Sequence, residues 1–334
     1  MSEGFLHMSK IINIGIIGCA NIADRYVIPA IKAMPKEFNL FAVSSRNKKK
    51  SMAYALKFET QSVVGYEQLL LIKEIDAVYI PLPNSMHYEW VKKSLIKGKH
   101  VLVEKSLACN YEEVEKLISL AKSKGLVLVE NFQFRFHPQL DVIKGLINRG
   151  KIGEIRNIKS SFGFPPFSDS DNIRYSKELG GGALLDAGAY PLKISQELLG
   201  QEIFVDSATL NFCSEKQVDI WGNAQLKALN SSIVSQISFG FDNFYQCSLE
   251  VWGSRGTLKA SRVFTCPPNS KATIEITKSN GQEVITVSAE NHFINMLHYF
   301  YELINKLLPV EVEYKSSLHQ SKLISEVYEN SYEK

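Results

Sequence analysis

The feature that most constrains the fold is a short apolar run that ends in a glycine turn near the start of the chain. Residues 11–17 contain five isoleucines in seven positions, which is typical of a strand buried on both faces of a parallel sheet. The run continues into Gly-Cys-Ala-Asn-Ile-Ala at residues 18–23 and then into a helical stretch. This is the G-x-G-x-x-G/A pattern of a strand–turn–helix unit that binds a dinucleotide, with alanine in the second glycine position. We therefore predict that a dinucleotide contacts Gly18, Ala20, Asn21 and Ile22.

The end of the next predicted strand, residues 40–43, indicates which dinucleotide binds. A carboxylate there would accept the adenosine ribose hydroxyls, whereas an arginine would pair with a 2′-phosphate. Residues 44–47 read Ser-Ser-Arg-Asn, without an acidic residue. Ser45 can hydrogen-bond a phosphate and Arg46 can pair with one, so we expect NADP(H) and not NAD(H). The alternative is a solvated basic loop, since three lysines follow.

Two later strand ends are predicted to reach the same edge of the sheet. Residues 77–80 form a strand that runs into Pro-Leu-Pro-Asn, a stiff loop with few N–H donors, and Asn84 is expected to cap a helix over 87–97. Residues 101–103 form the next strand, and Lys105 follows it at the mouth of the cleft, unless it is an ordinary surface lysine. We expect the cofactor side of the cleft to include Pro81, Leu82, Asn84, His87, Glu104 and Lys105.

The run Gly-Gly-Gly-Ala-Leu-Leu-Asp-Ala-Gly-Ala-Tyr-Pro at residues 180–191 is the strongest indication of chemistry. Glycines allow close backbone approach or positive φ before the helix begins. Asp186 and Tyr190 are four residues apart, so both project from one helix face. A phenol and a carboxylate there are suited to donating a proton to a substrate oxygen. The alternative is a tight loop followed by a buried Tyr190 whose hydroxyl bonds Asp186.

The second half of the chain has a different pattern. Residues 130–137 alternate aromatic and polar side chains, as a half-buried strand or a cleft wall would. Long alternating strands are predicted at residues 155–161, 205–212, 217–226, 232–239 and 245–252, and their spacing indicates an antiparallel sheet. Ser-Asn-Gly-Gln at 279–282 predicts a hairpin, and residues 290–308 and 318–332 have helical periodicity. Because 334 residues exceed one core, we predict two domains, residues 10–130 and 131–334.

Composition excludes several classes of protein. A net charge of +3 is too small to indicate a nucleic-acid or membrane surface, and no apolar run approaches ~20 residues. The first ten residues lack the basic and apolar regions of a signal peptide, so we expect residues 1–9 to be a loose leader or a cloning remnant. The five cysteines have no CxxC spacing, which predicts reduced thiols in a cytoplasmic protein and no metal site.

Four motifs together resemble the Gfo/Idh/MocA oxidoreductase family in order and spacing, over roughly residues 10–330. They are the Gly-x-Ala-x-x-Ala turn, Pro-Leu-Pro-Asn at 81–84, Glu104-Lys105 and the 180–190 run. The resemblance implies an α/β protein: a Rossmann domain with a parallel sheet, followed by an α/β domain with a large open antiparallel sheet. It implies an active site between the domains, with Lys105 and Tyr190 beside the nicotinamide, and a homodimer or dimer of dimers that pairs through one sheet face. One departure is Ser106, where the family usually has proline.

Finer features narrow the subgroup. Within the family, four features look most like the deoxysugar ketoreductases. They are tyrosine at position 190, Asn-Ile-Arg-Tyr-Ser-Lys-Glu-Leu at 172–179, Glu-Asn-Phe at 130–132 and His-Pro-Gln at 137–139. The resemblance implies NADPH-dependent reduction of a ketone on a nucleotide-linked sugar, with Tyr190 donating the proton, Lys105 biasing the phenol and Asp186 orienting this pair or contacting a substrate hydroxyl. Candidate substrate contacts are Asn131, Arg135, His137, Arg174 and Tyr175. The alternatives are an NADP-dependent aldose or dihydrodiol dehydrogenase working in the oxidative direction and a non-catalytic NADP(H)-binding or sugar-sensing protein.

Overall fold

The computed structural model describes residues 10–169 and 172–332. The expectation of a loose leader at residues 1–9 lies outside this part of the chain. In both domains a sheet is covered by helices, which confirms the predicted mixed α/β architecture.

The first domain is built around a parallel sheet with strand order β3-β2-β1-β4-β5-β6. Its strands are β1 (Ile12–Ile17), β2 (Phe38–Ser45), β3 (Gln61–Val64), β4 (Ala77–Ile80), β5 (His100–Glu104) and β6 (Leu128–Asn131). Its helices are α1 (Ile28–Lys32), which continues a π-helical turn at Ala23–Val27, α2 (Lys48–Phe58), α3 (Tyr66–Leu70), α4 (Asn84–Ile96) and α5 (Tyr111–Lys124). The order reverses between β1 and β4, and ligands bind at such a switch point beyond the carboxyl ends of the strands.

The second domain carries a larger sheet with strand order β14-β13-β12-β11-β7-β10-β9-β8. Neighbouring strands are antiparallel except for the parallel pair β7 and β10. The strands are β7 (Ile155–Gly163), β8 (Ile203–Cys213), β9 (Val218–Ala228), β10 (Val234–Gly240), β11 (Gln246–Gly253), β12 (Gly256–Ser261), β13 (Ala272–Lys278) and β14 (Gly281–Val287). The helices are α6 (Pro138–Asn148), α7 (Ala189–Leu199), α8 (His292–Ile304) and α9 (Glu311–Tyr332). The predicted strands and the hairpin at 279–282 are present, although each strand differs from its expected bounds by a few residues.

One face of the second sheet packs against α6, α7 and α9 in a single hydrophobic core. The helix α8 does not join that core. Its apolar residues, such as Phe293, Met296 and Phe300, lie in the core of the first domain beside α1 and β1. The range 131–334 is therefore not one spatial unit, because the chain returns to the first domain near its end. Periodicity predicts that a segment is amphipathic but not which core buries its apolar face.

The segment after β6 also differs from its prediction. The strand ends at Asn131, and residues Gln133–Phe136 form a 3₁₀ turn. Phe132 and Phe134 nevertheless both contact the ring of Tyr190. The sequence is compatible with two interpretations of these alternating aromatics, a half-buried strand or a cleft wall. The structure shows a cleft wall, and the strand interpretation is wrong beyond Asn131.

Candidate active site

A cavity of about 1050 Å³ lies where the carboxyl ends of the parallel strands meet the second domain. Its volume is at the upper end of the range for small-molecule sites, which leaves room for extended ligands. One wall comes from the loops after β1, β2, β4 and β5, and the other from β7, the glycine loop, α7 and the segment near residue 266. Predicted residues brought together on this lining are Gly18, Ala20, Asn21, Ile22, Ser45, Arg46, Pro81, Leu82, Asn84, Glu104, Lys105, Arg174, Asp186 and Tyr190.

The glycine turn after β1 fits a closely approaching ligand. Gly18 has φ +109°, and a Cβ atom there would lie 2.7 Å from Cδ2 of Leu82. Only glycine combines that dihedral with that contact. Residues 18–22 border the cavity and lead directly into the helical segment that starts at Ala23, which is the arrangement needed to hold a dinucleotide pyrophosphate.

The end of β2 presents a basic surface to the same cavity. Ser45 is buried, and its Oγ accepts from the N–H of Asn47 at 3.2 Å. Asn47 in turn caps α2, accepting from the N–H of Lys50 at 3.1 Å. The exposed Arg46 and Lys50 both line the cavity. These side chains fit a 2′-phosphate, because a hydroxyl and two cations lie where a carboxylate would otherwise bind ribose.

The predicted capping role of Asn84 and the predicted place of His87 on the cavity lining are both wrong. Asn84 does not cap α4, since it is the first helical residue, and its Nδ2 donates to the carbonyl of Gly180 at 2.9 Å. His87 is fully buried behind the cavity, with Nδ1 2.6 Å from the Ser106 carbonyl and Nε2 2.8 Å from the Leu82 carbonyl. Burial lowers the pKa of His87 to about 4. A neutral imidazole has one N–H, so it donates to only one of these two carbonyls at a time.

Lys105 faces the cleft and is anchored across the domain boundary. Its Nζ donates to the Asp186 carboxylate at 2.7 Å and to the Asp186 carbonyl at 2.9 Å. The Lys105 side chain is 8% exposed, so the surface-lysine alternative is wrong. The Lys105–Ser106 peptide bond is cis.

The other carboxylate oxygen of Asp186 accepts from Nε of Arg174 at 2.5 Å. Asp186 thus lies between two cations. The alternative for this helix, in which the Tyr190 hydroxyl bonds Asp186, is therefore wrong. Burial acts to raise the pKa of Asp186, but the charges of Lys105 and Arg174 outweigh it and hold that pKa at about 2. The carboxylate remains ionised at any working pH.

Tyr190 stands in an aromatic enclosure at the base of the cavity. Rings that pack against it belong to Phe132, Phe134, Phe162 and Phe264, with centroid distances of 5.1 to 5.9 Å. Nζ of Lys105 lies 5.2 Å from the Tyr190 ring centroid. Burial, with the nearby Glu104 and Asp186 carboxylates, raises the pKa of the phenol well above its usual value. Tyr190 therefore carries its proton at neutral pH, as a proton donor must.

Asn131 lies one layer behind this group. Its Nδ2 donates to Oε1 of Glu104 at 2.7 Å, and the hydroxyl of Tyr79 donates to the same oxygen at 2.6 Å. Burial raises the pKa of Glu104. Asn131 therefore fixes the side chain of Glu104, the residue before Lys105. Asn131 itself is not on the cavity lining.

Three predicted substrate contacts, Arg135, His137 and Tyr175, also lie away from the lining. Arg135 is enclosed by carboxylates, with Nε 2.9 Å from Glu197 and Nη2 2.7 Å from Glu313. His137 caps α6 through Nδ1, which accepts from the N–H of Gln139 at 3.2 Å. The Tyr175 hydroxyl accepts from the N–H of Phe167 at 3.1 Å. The Arg135 guanidinium, Nδ1 of His137 and the Tyr175 hydroxyl therefore have structural partners, which account for them without a substrate. Nε2 of His137 is buried without a hydrogen-bond partner.

Several site residues carry no local signal in the sequence. Asp219 on β9 accepts from the N–H of Leu184 at 2.5 Å and so caps the π-helical turn Leu184–Gly188 that carries Asp186. Gln133 lines the cavity beside Tyr190, with Nε2 donating to the Phe264 carbonyl at 3.3 Å. Other unpredicted lining residues are Tyr26, Phe162, Phe164, Thr265, Cys266, Pro267, His292 and Phe293. They come from distant segments, and only the fold assembles them.

Across residues 10–169 and 172–332, no group of three or more His, Cys, Asp or Glu side chains is placed to hold a metal ion. In the same part of the chain, none of the helices has the length and apolar character needed to cross a membrane.

Comparison with known proteins identifies relatives over most of the chain. The Gfo/Idh/MocA oxidoreductase family model with an NAD-binding Rossmann fold matches residues 12–132, and the model of the family's C-terminal domain matches residues 141–259. The dTDP-3,4-didehydro-2,6-dideoxy-α-D-glucose 3-reductase of Saccharopolyspora spinosa is 39% identical over 284 residues, 85% of each chain. The enzyme of the same name from Streptomyces violaceoruber is 36% identical, over 92% of this chain and 89% of its own. The crystal structure of KijD10, a 3-ketoreductase from Actinomadura kijaniata in complex with NADP and TDP-benzene, superposes with a TM-score of 0.92 at 34% identity, covering 96% of this chain and 98% of that one.

Proposed function

This chain belongs to the Gfo/Idh/MocA oxidoreductase family, and we propose that it reduces the 3-keto group of a dTDP-linked deoxysugar with NADPH. The observation that carries the proposal is the buried, protonated Tyr190 beside Lys105, in a cavity that continues to the basic loop at Ser45 and Arg46. A carbonyl reductase needs a proton donor and a dinucleotide site in one enclosure. Relatives that are 36–39% identical are dTDP-sugar 3-reductases, which supports the choice of substrate.

The residues of this chain account for the proton side of the reaction. NADPH, when bound along residues 18–22 and 45–46, supplies the hydride that forms the new C–H bond at the carbonyl carbon. The Tyr190 O–H bond breaks as its proton moves to the carbonyl oxygen, so the ketone gains one hydride and one proton. An ammonium has three donors, and Lys105 uses two on Asp186. When the Lys105 side chain turns from the Asp186 carboxylate, an N–H of this ammonium reaches the same substrate oxygen and stabilises the developing negative charge there.

The assay that tests this function offers the purified protein dTDP-3,4-didehydro-2,6-dideoxyglucose and NADPH. We expect oxidation of NADPH together with a sugar product that is heavier by two hydrogens in mass spectrometry. Parallel reactions with NADP⁺ and either D-xylose or a trans-dihydrodiol test the oxidative alternatives. Faster turnover of either of these than of the dTDP-sugar would replace the proposed substrate.

We also propose that Ser45 and Arg46 select NADP(H). Replacing Arg46 by Asp should weaken NADPH binding by ~1–3 kcal/mol, because a charge-assisted bond is lost and repulsion is added. Calorimetric titration of both proteins with NADPH and NADH measures this difference. Lys48→Asp is the matched control, since Lys48 is exposed two residues further along the chain and does not line the cavity. NADH binding to the wild type as tightly as NADPH does would contradict the assignment.

We propose a homodimer, or a dimer of dimers, formed through the face of the second sheet that the helices leave uncovered. Trp252 on β11 is 56% exposed and Trp221 on β9 is 37% exposed, an unusual exposure for indoles on a sheet. A specific dimer would bury about 1,600 Å² in total. Sedimentation analysis should show a dimer that Trp252→Asp shifts towards monomer. A monomeric wild type at micromolar concentration would refute the proposal.

A cytoplasmic location is proposed as well, supported by the five cysteines, all of which are free thiols.

A further inference from the structure

We propose that Arg174 is a positioning residue: it holds the Asp186 carboxylate in place so that Lys105 can turn from that carboxylate to the substrate oxygen. This inference rests on the proposed carbonyl reduction and adds a role that neither Lys105 nor Tyr190 can supply. It also differs from the direct substrate contact that the sequence predicts for Arg174.

The contacts divide Asp186 evenly between two cations. Oδ1 accepts from Nζ of Lys105 at 2.7 Å, and Oδ2 accepts from Nε of Arg174 at 2.5 Å. The Lys105 and Asp186 side chains are 8% and 19% exposed, whereas the Arg174 side chain is 35% exposed. A largely buried carboxylate that loses its partner is strongly destabilised. When Arg174 is present, Asp186 still has one cationic partner after Lys105 moves to the substrate oxygen. When Arg174 is absent, Lys105 is the only cation paired with Asp186, so the ion pair holds Lys105 in place.

The glycine loop is built to keep Arg174 at this position. The N–H of Gly182 donates to the carbonyl of Arg174 at 2.9 Å. A Cβ atom at Gly181 would lie 2.5 Å from that same carbonyl oxygen and 2.8 Å from the carbonyl oxygen of Ser176. Because backbone atoms cannot yield as a flexible side chain can, any larger residue at 181 must push the Arg174 segment away. The second glycine of the triple-glycine run therefore sets how closely the guanidinium approaches Asp186.

The titration of Asp186 reports on this contact directly. The charged and titratable groups that interact with its carboxylate are Lys105, Arg174 and Tyr190, and the two cations hold its pKa low. An opposite charge within ~4–6 Å lowers the pKa of a carboxyl by one or more units. Removing the Arg174 cation should therefore raise the pH at which Asp186 titrates by about one unit, while Lys105 remains.

The first experiment follows Asp186 by ¹³C NMR of protein labelled at the aspartate carboxyl carbons, with Asp186→Asn used to assign the signal. We expect the titration midpoint of Asp186 to rise in Arg174→Met and to return towards the wild-type value in Arg174→Lys. The control is Lys177→Met, which removes a cation from the same loop and should leave the midpoint unchanged. Gly181→Ala should resemble Arg174→Met. A midpoint in Arg174→Met equal to that of wild type overturns the proposal. This measurement needs no substrate, so it stands even if the proposed reaction is wrong.

The second experiment is a double-mutant cycle on single-turnover hydride transfer. Arg174→Met should slow the step about 10- to 100-fold, the effect of one charge-assisted hydrogen bond, with KM changed less than kcat. If Arg174 acts through Asp186, adding Arg174→Met to Asp186→Asn should cause no further loss. A full additional loss, or a rise confined to KM, would instead make Arg174 a substrate-binding residue and overturn the positioning role.

Discussion

Replacing Tyr190 by Phe should lower the rate of hydride transfer by about 10²–10⁴-fold, the range of general acid catalysis. The substitution keeps the ring that packs against Phe132, Phe162 and Phe264 and removes only the donor hydroxyl. We therefore expect the melting temperature and the affinity for NADPH to change little. Stopped-flow single turnovers separate the chemical step from product release, and thermal unfolding and titration check the other two expectations.

The pH dependence supplies a second test of Tyr190. Burial, Glu104 and Asp186 raise the pKa of the phenol, so the proton-donating form persists above the pH at which an ordinary tyrosine ionises. Ionisation of Tyr190 should therefore cause no fall in the wild-type rate across that ordinary range. Tyr301→Phe is the matched control, since Tyr301 is also buried but lies in the core of the first domain. Near-wild-type hydride transfer in Tyr190→Phe would remove Tyr190 from the mechanism.

Replacing Lys105 by Met should slow hydride transfer by a similar factor. Methionine keeps much of the side-chain length but removes the ammonium, and with it the donor available to the substrate oxygen. Asp186 retains Arg174 as a partner, so the variant should still fold. Single-turnover rates, with circular dichroism to confirm folding, measure this effect.

The double variant distinguishes a joint action from two separate ones. If Tyr190 and Lys105 act on one oxygen as a unit, Tyr190→Phe combined with Lys105→Met should be only slightly slower than the slower single variant. Losses that multiply would show that the two residues act independently. Hydride transfer that is nearly intact in Lys105→Met but abolished in Tyr190→Phe would leave Tyr190 acting without Lys105.

Much of the first domain could be predicted because its signals are local. Five isoleucines in seven residues predict a strand buried on both faces, and the turn at Gly18 predicts where that strand ends. Such strand ends meet at one edge of a parallel sheet, which places Ser45, Pro81 and Lys105 around one cavity. The glycine run and the four-residue spacing that follows it predict that Asp186 and Tyr190 share one helix face, and both line the cavity.

The failed predictions concern polar side chains whose partners are remote. Arg135 and Asn131 are two of the residues predicted from the sequence as candidate substrate contacts. Arg135 is instead neutralised by Glu313, 178 residues away, and Asn131 bonds Glu104, 27 residues away. A buried polar group takes whichever partner the fold brings near, and no local pattern records that choice.

The sequence by itself determined most of the strands and the last two helices, that a dinucleotide-type turn follows the first strand, and which residues carry a phenol, an ammonium and a carboxylate. Hydrophobic periodicity and the backbone preferences of glycine and proline act over a few residues, so they can be recognised in the chain. Only the tertiary structure decided that α8 returns to the first domain, that Asp219 caps the turn before α7, and that Asp186 lies between Lys105 and Arg174. Lys105 and Asp186 are 81 residues apart, and their contact exists because the fold brings the end of β5 against the turn Leu184–Gly188 and buries both charges, which must then pair.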